Sequence, residues 1–400
     1  MKEIAETRVL VPYMFALQGG VSKVLSEGLP KLNQQPDLIV EYAELCCNQE
    51  DMDQMERCGV PVIREAGISG SGILSYNKGL RRKFDLIFEI PRLTRVVLRL
   101  RRLICEYDAV YIHGYRELLL VNIALRLALR QEKPKIIWHC HGVGNERPPL
   151  LLVKMANDCC HIIAISQDAA RRLNEIGVNP SLVSVIYNAL SEGPKDSKAV
   201  PDSSSLPVKA SDHFVVILPA SSIRMVKGLS IAVQALKELP SQIHLWITGD
   251  TSDPIGRNYV RELDGLINEM GVVDRVHFIG RRNDIYLIMR EADLVLVPSL
   301  CREGFGLVAA EAMLLEKPVI VSNRGALPEV LGSTDCGWIF DPDVAGDLQR
   351  CILEIMLNPT QVKDKVRNGK MRAEELFAYK RWVSEVASVL TQTARLPRHV

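Results

Sequence analysis

The stretch Glu303-Gly-Phe-Gly-Leu-Val-Ala-Ala-Glu311 decides the fold prediction for this chain of 400 residues. Residues 294–298 precede it, a short apolar run closed by proline that is typical of the end of a buried strand. Strong helix formers dominate residues 307–316, which follow. The two glycines of the stretch therefore lie in a strand-to-helix turn. Such a turn lets the backbone approach an anion and offers it N–H groups at a helix N-terminus.

Two glutamates frame this turn. Glu303 lies in the loop, and Glu311 is the only charged residue of the helix before Glu316. A buried carboxylate without a partner is costly, so the pattern favours a ligand with phosphates at the helix start and hydroxyl groups on either side. A nucleotide-sugar has that shape. The alternative is that Glu303 only complements the helix dipole and Glu311 faces solvent.

The stretch resembles the E-x7-E motif of retaining glycosyltransferases of family 4, which have the GT-B fold. Other segments also resemble the C-terminal domain of that family, and together they span residues 213–345: Val276-His-Phe-Ile-Gly280, Ala292-Asp-Leu-Val-Leu-Val-Pro-Ser299, Lys317-Pro-Val-Ile-Val-Ser322 and Pro328-Glu-Val330. The N-terminal half resembles the family more weakly. The resemblance implies an α/β chain of two Rossmann-like, doubly wound parallel-sheet domains that face a central cleft.

Composition agrees with two α/β domains, because 400 residues are too many for one core. A net charge of +1 gives no sign of nucleic-acid binding. No apolar run reaches the ~18 residues of a spanning helix, and the N-terminus has no apolar signal region. The ten cysteines are scattered without a Cys-x2-Cys pair, so we expect reduced thiols and a cytoplasmic protein, at the inner face of a membrane.

Apolar strands alternate with helical patterns twice, which indicates two parallel sheets covered on both faces. We predict a Rossmann-like acceptor-binding domain over residues 1–196, a Ser- and Pro-rich linker over 197–212, and a nucleotide-sugar-binding domain over 213–375. The resemblance implies that residues 376–400 form a helix that crosses back to the first domain. Predicted strands lie at 8–12, 37–42, 109–113, 135–139, 161–165, 213–219, 243–248, 275–279, 294–298, 318–322 and 338–340.

The loop Ala220-Ser-Ser-Ile-Arg-Met-Val-Lys227 follows the first strand of the second domain, a favoured ligand position. Arg224 offers a fork of donors and Lys227 a point charge to a diphosphate. The family carries Arg and Lys here to stabilise the leaving nucleoside diphosphate. This chain departs from the Gly-Arg-x4-Lys-Gly form, since Ser221-Ser222 replace Gly-Arg, whereas Lys227-Gly228 matches. The alternative is a pair of solvated loop cations.

The resemblance assigns further donor contacts. It implies that Glu311 holds the ribose, that Glu303 holds the donor sugar, and that the loop containing Arg282 contacts the nucleobase. Gly249 closes a strand like the family's Gly-Asp/Glu-Gly turn, although the second glycine is missing. We expect backbone N–H groups to bind the sugar and phosphate at Phe305, Gly306, Leu307 and Val308. Those at Gly19 and Gly20 are expected to contact the donor phosphate or the acceptor.

Histidines end two strands of the first domain, His113 at one and His139 with His141 at the other. By resemblance, His141 contacts the donor sugar, and the alternative is a strand-end histidine of structural use only. His139 and His141 share a strand face, but no convincing further ligands accompany them, so no metal site is predicted. Two Asp-x-Asp patterns, at 51–53 and 341–343, leave a metal-dependent GT-A enzyme as a disfavoured alternative.

A basic segment with an apolar side, residues 76–104, carries nine Lys and Arg residues against two acidic ones between Lys78 and Arg102. It predicts peripheral contact with an anionic membrane, and the family often acts on lipid-linked acceptors there. The alternative is a solvated helix face whose apolar side belongs to the core.

The function predicted is transfer of a sugar from a nucleotide-sugar donor to a hydroxyl group of a lipid-linked or glycan acceptor, with retention of configuration, no cofactor and no metal. His141, Lys227, Arg224 and Glu303 are the predicted catalytic residues. Two alternatives remain: a GT-B nucleotide-sugar 2-epimerase, and a non-catalytic scaffold that binds a partner protein. A scaffold does not need the charged residues Lys227, Glu303 and Glu311, so their presence argues against this alternative.

Overall fold

The computed structural model describes residues 6–14, 19–45, 48–64, 82–128, 133–144, 148–191, 200–202 and 206–396. They form two compact units: Met1–Tyr187 with Tyr379–Val400, and Asn188–Ala378. Each unit contains a six-stranded sheet whose strand pairs are all parallel. The predicted α/β architecture with two parallel sheets is confirmed.

The sheet of the first unit has the strand order β2-β1-β3-β4-β5-β6. Its strands are almost wholly buried, which explains why they read as continuous apolar runs in the sequence. The strands are β1 Thr7–Tyr13, β2 Leu38–Glu44, β3 Ala109–Ile112, β4 Lys135–Cys140, β5 His161–Ala164 and β6 Val183–Val185.

In the described part of this unit, six α-helices connect these strands. Polar side chains cap two of them, since the side-chain oxygens of Asn48 and Ser166 accept from backbone N–H groups of the first turn. The helices are α1 Gly19–Leu32, α2 Gln49–Arg57, α3 Arg82–Leu103, α4 Tyr115–Leu127, α5 Leu150–Asn157 and α6 Gln167–Glu175.

The sheet of the second unit has the order β12-β11-β10-β7-β8-β9. Its strands are β7 Phe214–Leu218, β8 Ile243–Thr248, β9 Val276–Gly280, β10 Leu294–Val297, β11 Val319–Ser322 and β12 Trp338–Phe340. Its helices are α7 Leu229–Leu236, α8 Pro254–Met270, α9 Ile285–Glu291, α10 Leu307–Leu314, α11 Leu327–Leu331, α12 Asp347–Leu357 and α13 Pro359–Leu376.

The last helix, α14 Tyr379–Ala394, packs on the first unit against α1, β1, β3 and β4. Trp382 is fully buried there, and a Cβ added to Gly28 of α1 would lie 2.7 Å from its ring. Glycine at this position therefore allows the two helices to approach closely. The division between the units falls at residues 187–188 and 378–379, and the described part of the predicted linker belongs to the second unit.

The basic segment is partly described: residues 76–81 lie outside the described part, and α3 begins at Arg82. In the second half of α3, Val96, Val97 and Leu100 are buried, whereas Arg95, Arg99 and Arg102 are exposed. The apolar side of this half therefore belongs to the core. None of the described helices is both long enough and apolar enough to cross a bilayer.

Candidate donor site and histidine cluster

The strand order of the second unit fixes the place of the candidate site. The chain runs from β7 to β8 on one side and later returns to place β10 on the other side of β7. The loops after β7 and β10 therefore lead away from the carboxyl edge of the sheet in opposite directions. Such a topological switch point is the usual ligand site of open α/β sheets. The two loops carry Lys227 and Glu303.

Lys227 and Glu303 form an ion pair across the switch point, with 2.7 Å between Nζ and Oε1. The hydroxyl group of Ser299 donates to the same carboxylate oxygen. Backbone contacts hold both loops: Leu300 donates its N–H to the carbonyl oxygen of Val226 at 2.8 Å. Two residues that are 76 positions apart in the sequence are thus held in direct contact at partly exposed positions.

Three glycines make this close approach sterically feasible. Gly228 has φ +73°, and a Cβ there would lie 1.8 Å from the carbonyl oxygen of Pro298. Gly306 has φ +97°, and a Cβ would lie 2.5 Å from the side chain of Leu327. A Cβ on Gly325 would lie 2.3 Å from the carbonyl oxygen of Glu303. Because L-residues disfavour positive φ and these positions lack space, only glycine fits.

Glu311 is buried in α10, so the alternative in which it faces solvent is wrong. The phenol of Tyr286 in α9 donates to its Oε1 at 2.7 Å, which offsets part of the cost of burying the carboxylate. No side chain caps α10, which begins at Leu307 after Gly306. The first backbone N–H groups of an α-helix have no partner within the helix, so this end can bind an anion.

The remaining predicted donor residues are held by ion pairs or backbone contacts. Arg224 pairs with Asp253 at 2.9 Å. Arg282 makes a bidentate pair with Asp284 at 2.7–2.8 Å and also donates to the carbonyl oxygen of Asp202. These contacts direct the Arg282 side chain to Asp284 and to the backbone at Asp202. Gly249 has φ +148° and donates its N–H to the carbonyl oxygen of Gly280.

Sequence reasoning did not identify Ser299, Tyr286 or Gly325 as site residues. Ser299 directly follows the proline that closes β10, so its position could have indicated it. Tyr286 and Gly325 carry no such signal, because only the folded chain brings α9 and the loop after β11 to the two glutamates.

In the first unit, Gly19 and Gly20 form the first residues of α1, directly after residues 15–18, which are not described. Met14, at the end of β1, donates its backbone N–H to the buried carboxylate of Glu117 at 2.9 Å. Burial raises the pKa of Glu117 to about 7. This contact ties the chain after β1 to the first turn of α4.

Three histidines meet at the carboxyl ends of β3 and β4. One ring nitrogen from each of His113, His139 and His141 lies within 4.8 Å of the others. His113 is thus a third member that the sequence prediction did not include with His139 and His141. The rings of the three pairs are inclined by only 21–39°.

Burial lowers the pKa of His141 to about 4 and those of His113 and His139 well below the ordinary value. All three rings are therefore neutral near pH 7. Their hydrogen bonds depend on which ring nitrogen carries the proton, and not on charge.

Two family models match the chain. Residues 23–192 match "Glycosyltransferase Family 4" and residues 207–372 match "Glycosyl transferases group 1". The two matches support assignment to the glycosyltransferase family 4, GT-B class. They cover both units and include the switch point and the histidine cluster.

Relatives and solved structures agree with the two family matches. A D-inositol 3-phosphate glycosyltransferase of Xylanimonas cellulosilytica is 41% identical over 29% of this chain and 28% of its own length. An MMP alpha-(1->4)-mannosyltransferase of Mycolicibacterium hassiacum is 32% identical over 31% of each chain. The chain thus spans about a third of the length of these curated relatives. HepE of Anabaena in complex with UDP-glucose has a TM-score of 0.76 at 22% identity, over 97% of this chain and 100% of that one. The GT-B fold is confirmed.

Proposed function

We propose that the protein is a glycosyltransferase that moves a sugar from a nucleotide-sugar donor to a hydroxyl group of a lipid-linked or glycan acceptor. Configuration at the anomeric carbon is retained, and no metal or other cofactor takes part. The observation that carries the proposal is the Lys227–Glu303 ion pair at the switch point, beside the uncapped start of α10.

The donor binds to the second unit. Lys227 and Arg224 meet its diphosphate, and the phosphate competes with Glu303 and Asp253 for these cations. Backbone N–H groups of residues 305–308 bind the sugar and phosphate, as expected at a helix N-terminus. Glu311 accepts from the ribose hydroxyl groups. The turn at Gly249 and the backbone beside Arg282 contact the nucleobase.

The reaction follows from this arrangement of charge. The bond between the anomeric carbon and the phosphate oxygen breaks, and Lys227, Arg224 and the dipole of α10 stabilise the negative charge that develops on the leaving group. The acceptor oxygen then bonds to the anomeric carbon from the same face, and its proton passes to a phosphate oxygen. The donor is thereby converted to a nucleoside diphosphate.

The first unit binds the acceptor. Gly19 and Gly20 at the start of α1 contact the donor phosphate or the acceptor, and His141 contacts the donor sugar. The exposed Arg95, Arg99 and Arg102 of α3 support contact with the anionic inner face of a membrane, and we propose that the protein acts in the cytoplasm. Sedimentation with anionic vesicles at low salt tests this contact. Replacing the three arginines by alanine should abolish binding, whereas Arg367→Ala in the second unit should not. Failure of the unchanged protein to bind at low salt would refute it.

Two substitutions separate the roles of the glutamates. Glu311→Ala should abolish nucleoside diphosphate binding in calorimetry, because the ribose loses its carboxylate partner. Glu303→Ala should leave nucleotide affinity within a few-fold and abolish turnover of the nucleotide-sugar. Glu316→Ala is the control, since Glu316 lies two residues beyond the end of α10 at an exposed position and pairs with Lys370. Unchanged nucleotide affinity in Glu311→Ala would contradict the assignment.

A further inference from the structure

A hydrogen-bonded pair of histidines lies at the carboxyl edge of the first sheet. β3 and β4 pair in parallel with Ile112 opposite Trp138, so His113 continues beside His139 and His141 follows two residues later. Nδ1 of His113 lies 2.9 Å from Nε2 of His141, at hydrogen-bond distance. One of these two nitrogens must therefore carry the proton.

The surroundings of His113 indicate which nitrogen carries it. His113 is almost fully buried, and its Nε2 has no hydrogen-bond partner among the described residues. If His141 donated to Nδ1, neutral His113 would carry its proton on this Nε2 and bury an N–H group without an acceptor. Buried N–H groups without an acceptor are rare and costly. The favoured arrangement has His113 donating from Nδ1 to Nε2 of His141.

We infer that His113 is a positioning residue that holds His141 in the tautomer with its proton on Nδ1. His141 then presents an N–H donor to a sugar oxygen. His141 is half-buried, and its Nδ1 has no protein partner within the described part of the chain, so this donor is available to a ligand. The ligand role rests on the proposed function, whereas the tautomer does not.

A tautomer set by a neighbour matters because the two ring nitrogens of a neutral histidine have opposite roles. Nδ1–H donates, but a bare Nδ1 only accepts. A sugar hydroxyl group can pair with either form of the nitrogen, because it both donates and accepts. An oxygen on which negative charge develops only accepts, so it needs the N–H group. In the absence of His113, an imidazole in water prefers its proton on Nε2, and the donor would be lost from Nδ1.

Long-range proton–nitrogen NMR of the full chain, labelled with 15N at histidine only, tests the tautomer at pH 7.5. The signals of His141 are assigned by their loss in His141→Gln. We expect Nδ1 to be protonated and Nε2 to be bare in the unchanged protein. His113→Phe should move His141 to the tautomer with Nε2 protonated, and His113→Asn, whose amide places a donor near the former Nδ1, should restore the original tautomer.

His161→Gln is the control for general disturbance of the sheet, because His161 hydrogen-bonds Ser184 at 2.8 Å in the same unit and does not contact His141. It should leave the His141 signals unchanged. A protonated Nε2 on His141 in the unchanged protein would overturn the inference. Binding of about one equivalent of zinc that is lost in both His113→Phe and His139→Gln would also overturn the inference, since Nε2 of His141 would then be a metal ligand.

Turnover measurements test the consequence. His113→Phe should lower kcat about 10–100-fold with little change in KM for the donor, and His113→Asn should recover most of the loss. An equal loss in both variants would mean a merely structural role. If no nucleotide-sugar is turned over by any variant, the proposed function fails, while the NMR result still decides the tautomer.

Discussion

A single residue, Gly228, determines the path of the backbone at the candidate donor site. Its φ of +73° reverses the chain directly after Lys227, and the absent Cβ makes room for the carbonyl oxygen of Pro298. Gly271, at the end of α8, has nearly the same φ of +68°, but nothing lies within 4 Å of its added Cβ. The two positions share a left-handed backbone conformation, which disfavours any residue with a Cβ, and they differ in the space available to that Cβ.

We expect Gly228→Ala to lower the free energy of unfolding by about 2–5 kcal/mol, because strain and a backbone clash add. Gly271→Ala should cost only about 1–2 kcal/mol from the left-handed conformation. Urea unfolding of both variants measures the difference. Gly228→Ala should also weaken nucleoside diphosphate binding, since Lys227 is displaced. Equal losses of stability would refute the role given to the Pro298 contact.

The sequence was most informative where function constrains single residues. The sequence alone predicts Lys227 and Glu303 as site residues, and their side chains lie 2.7 Å apart in the structure. The need of Glu311 for a partner could also be predicted, because burying a carboxylate is costly. Tyr286 could not be named as that partner, since nothing in a local pattern reports which helix packs beside α10.

At the scale of elements, apolar runs predicted eleven of the twelve strands to within two residues of their ends. The strand that was missed, β6, has only three residues, and all three are half-buried at the sheet edge. It therefore lacks the longer run of apolar residues from which the other strands are predicted. α3 shows the limit for helices, because a basic and apolar pattern describes a core-packed helix and a membrane-bound one equally well.

His141, which directly follows β4, makes the stability of the fold depend on pH. Burial lowers the pKa of His141 to about 4, whereas the ordinary pKa is 6.5. Between pH 6.5 and 4, His141 therefore binds more protons in the unfolded chain than in the folded one. The stability that it contributes is present above pH 6.5 and is lost as the pH falls to 4. The shift corresponds to roughly 3 kcal/mol.

His141→Gln should reduce the loss of stability between pH 7 and pH 4.5 by up to roughly 3 kcal/mol. Urea unfolding at the two pH values measures it. Burial raises the pKa of Glu117 to about 7, so this carboxyl group lowers stability as the pH rises from 4.5 to 7, the opposite sign. Glu117 is present in both proteins, so its contribution cancels in the difference. His141 also lowers the pKa of His113 and of His139, so the difference measures His141 together with its effect on these two neighbours. An identical pH dependence in the variant would refute the assignment to His141.

At the scale of the whole molecule, each compact unit contains tryptophans that report on its own unfolding. The chain has four tryptophans. Trp138 and Trp382 lie in the first unit, and Trp246 and Trp338 lie in the second. All four are buried, so their fluorescence changes when their unit unfolds. Replacing one pair by phenylalanine leaves a protein that reports on the other unit.

The division of labour proposed for the units predicts where a ligand stabilises the chain. A nucleoside diphosphate at 100 times its Kd contributes about 2.7 kcal/mol to the unit that binds it, which raises the midpoint of thermal unfolding by about 5–10 °C. We expect this shift in the variant that retains Trp246 and Trp338, and none after Glu311→Ala is added to it. A screen of nucleoside diphosphates followed by fluorescence melting also identifies the base. A shift reported only by Trp138 and Trp382 would assign the nucleotide to the first unit, and the switch point between β7 and β10 would then not be the donor site.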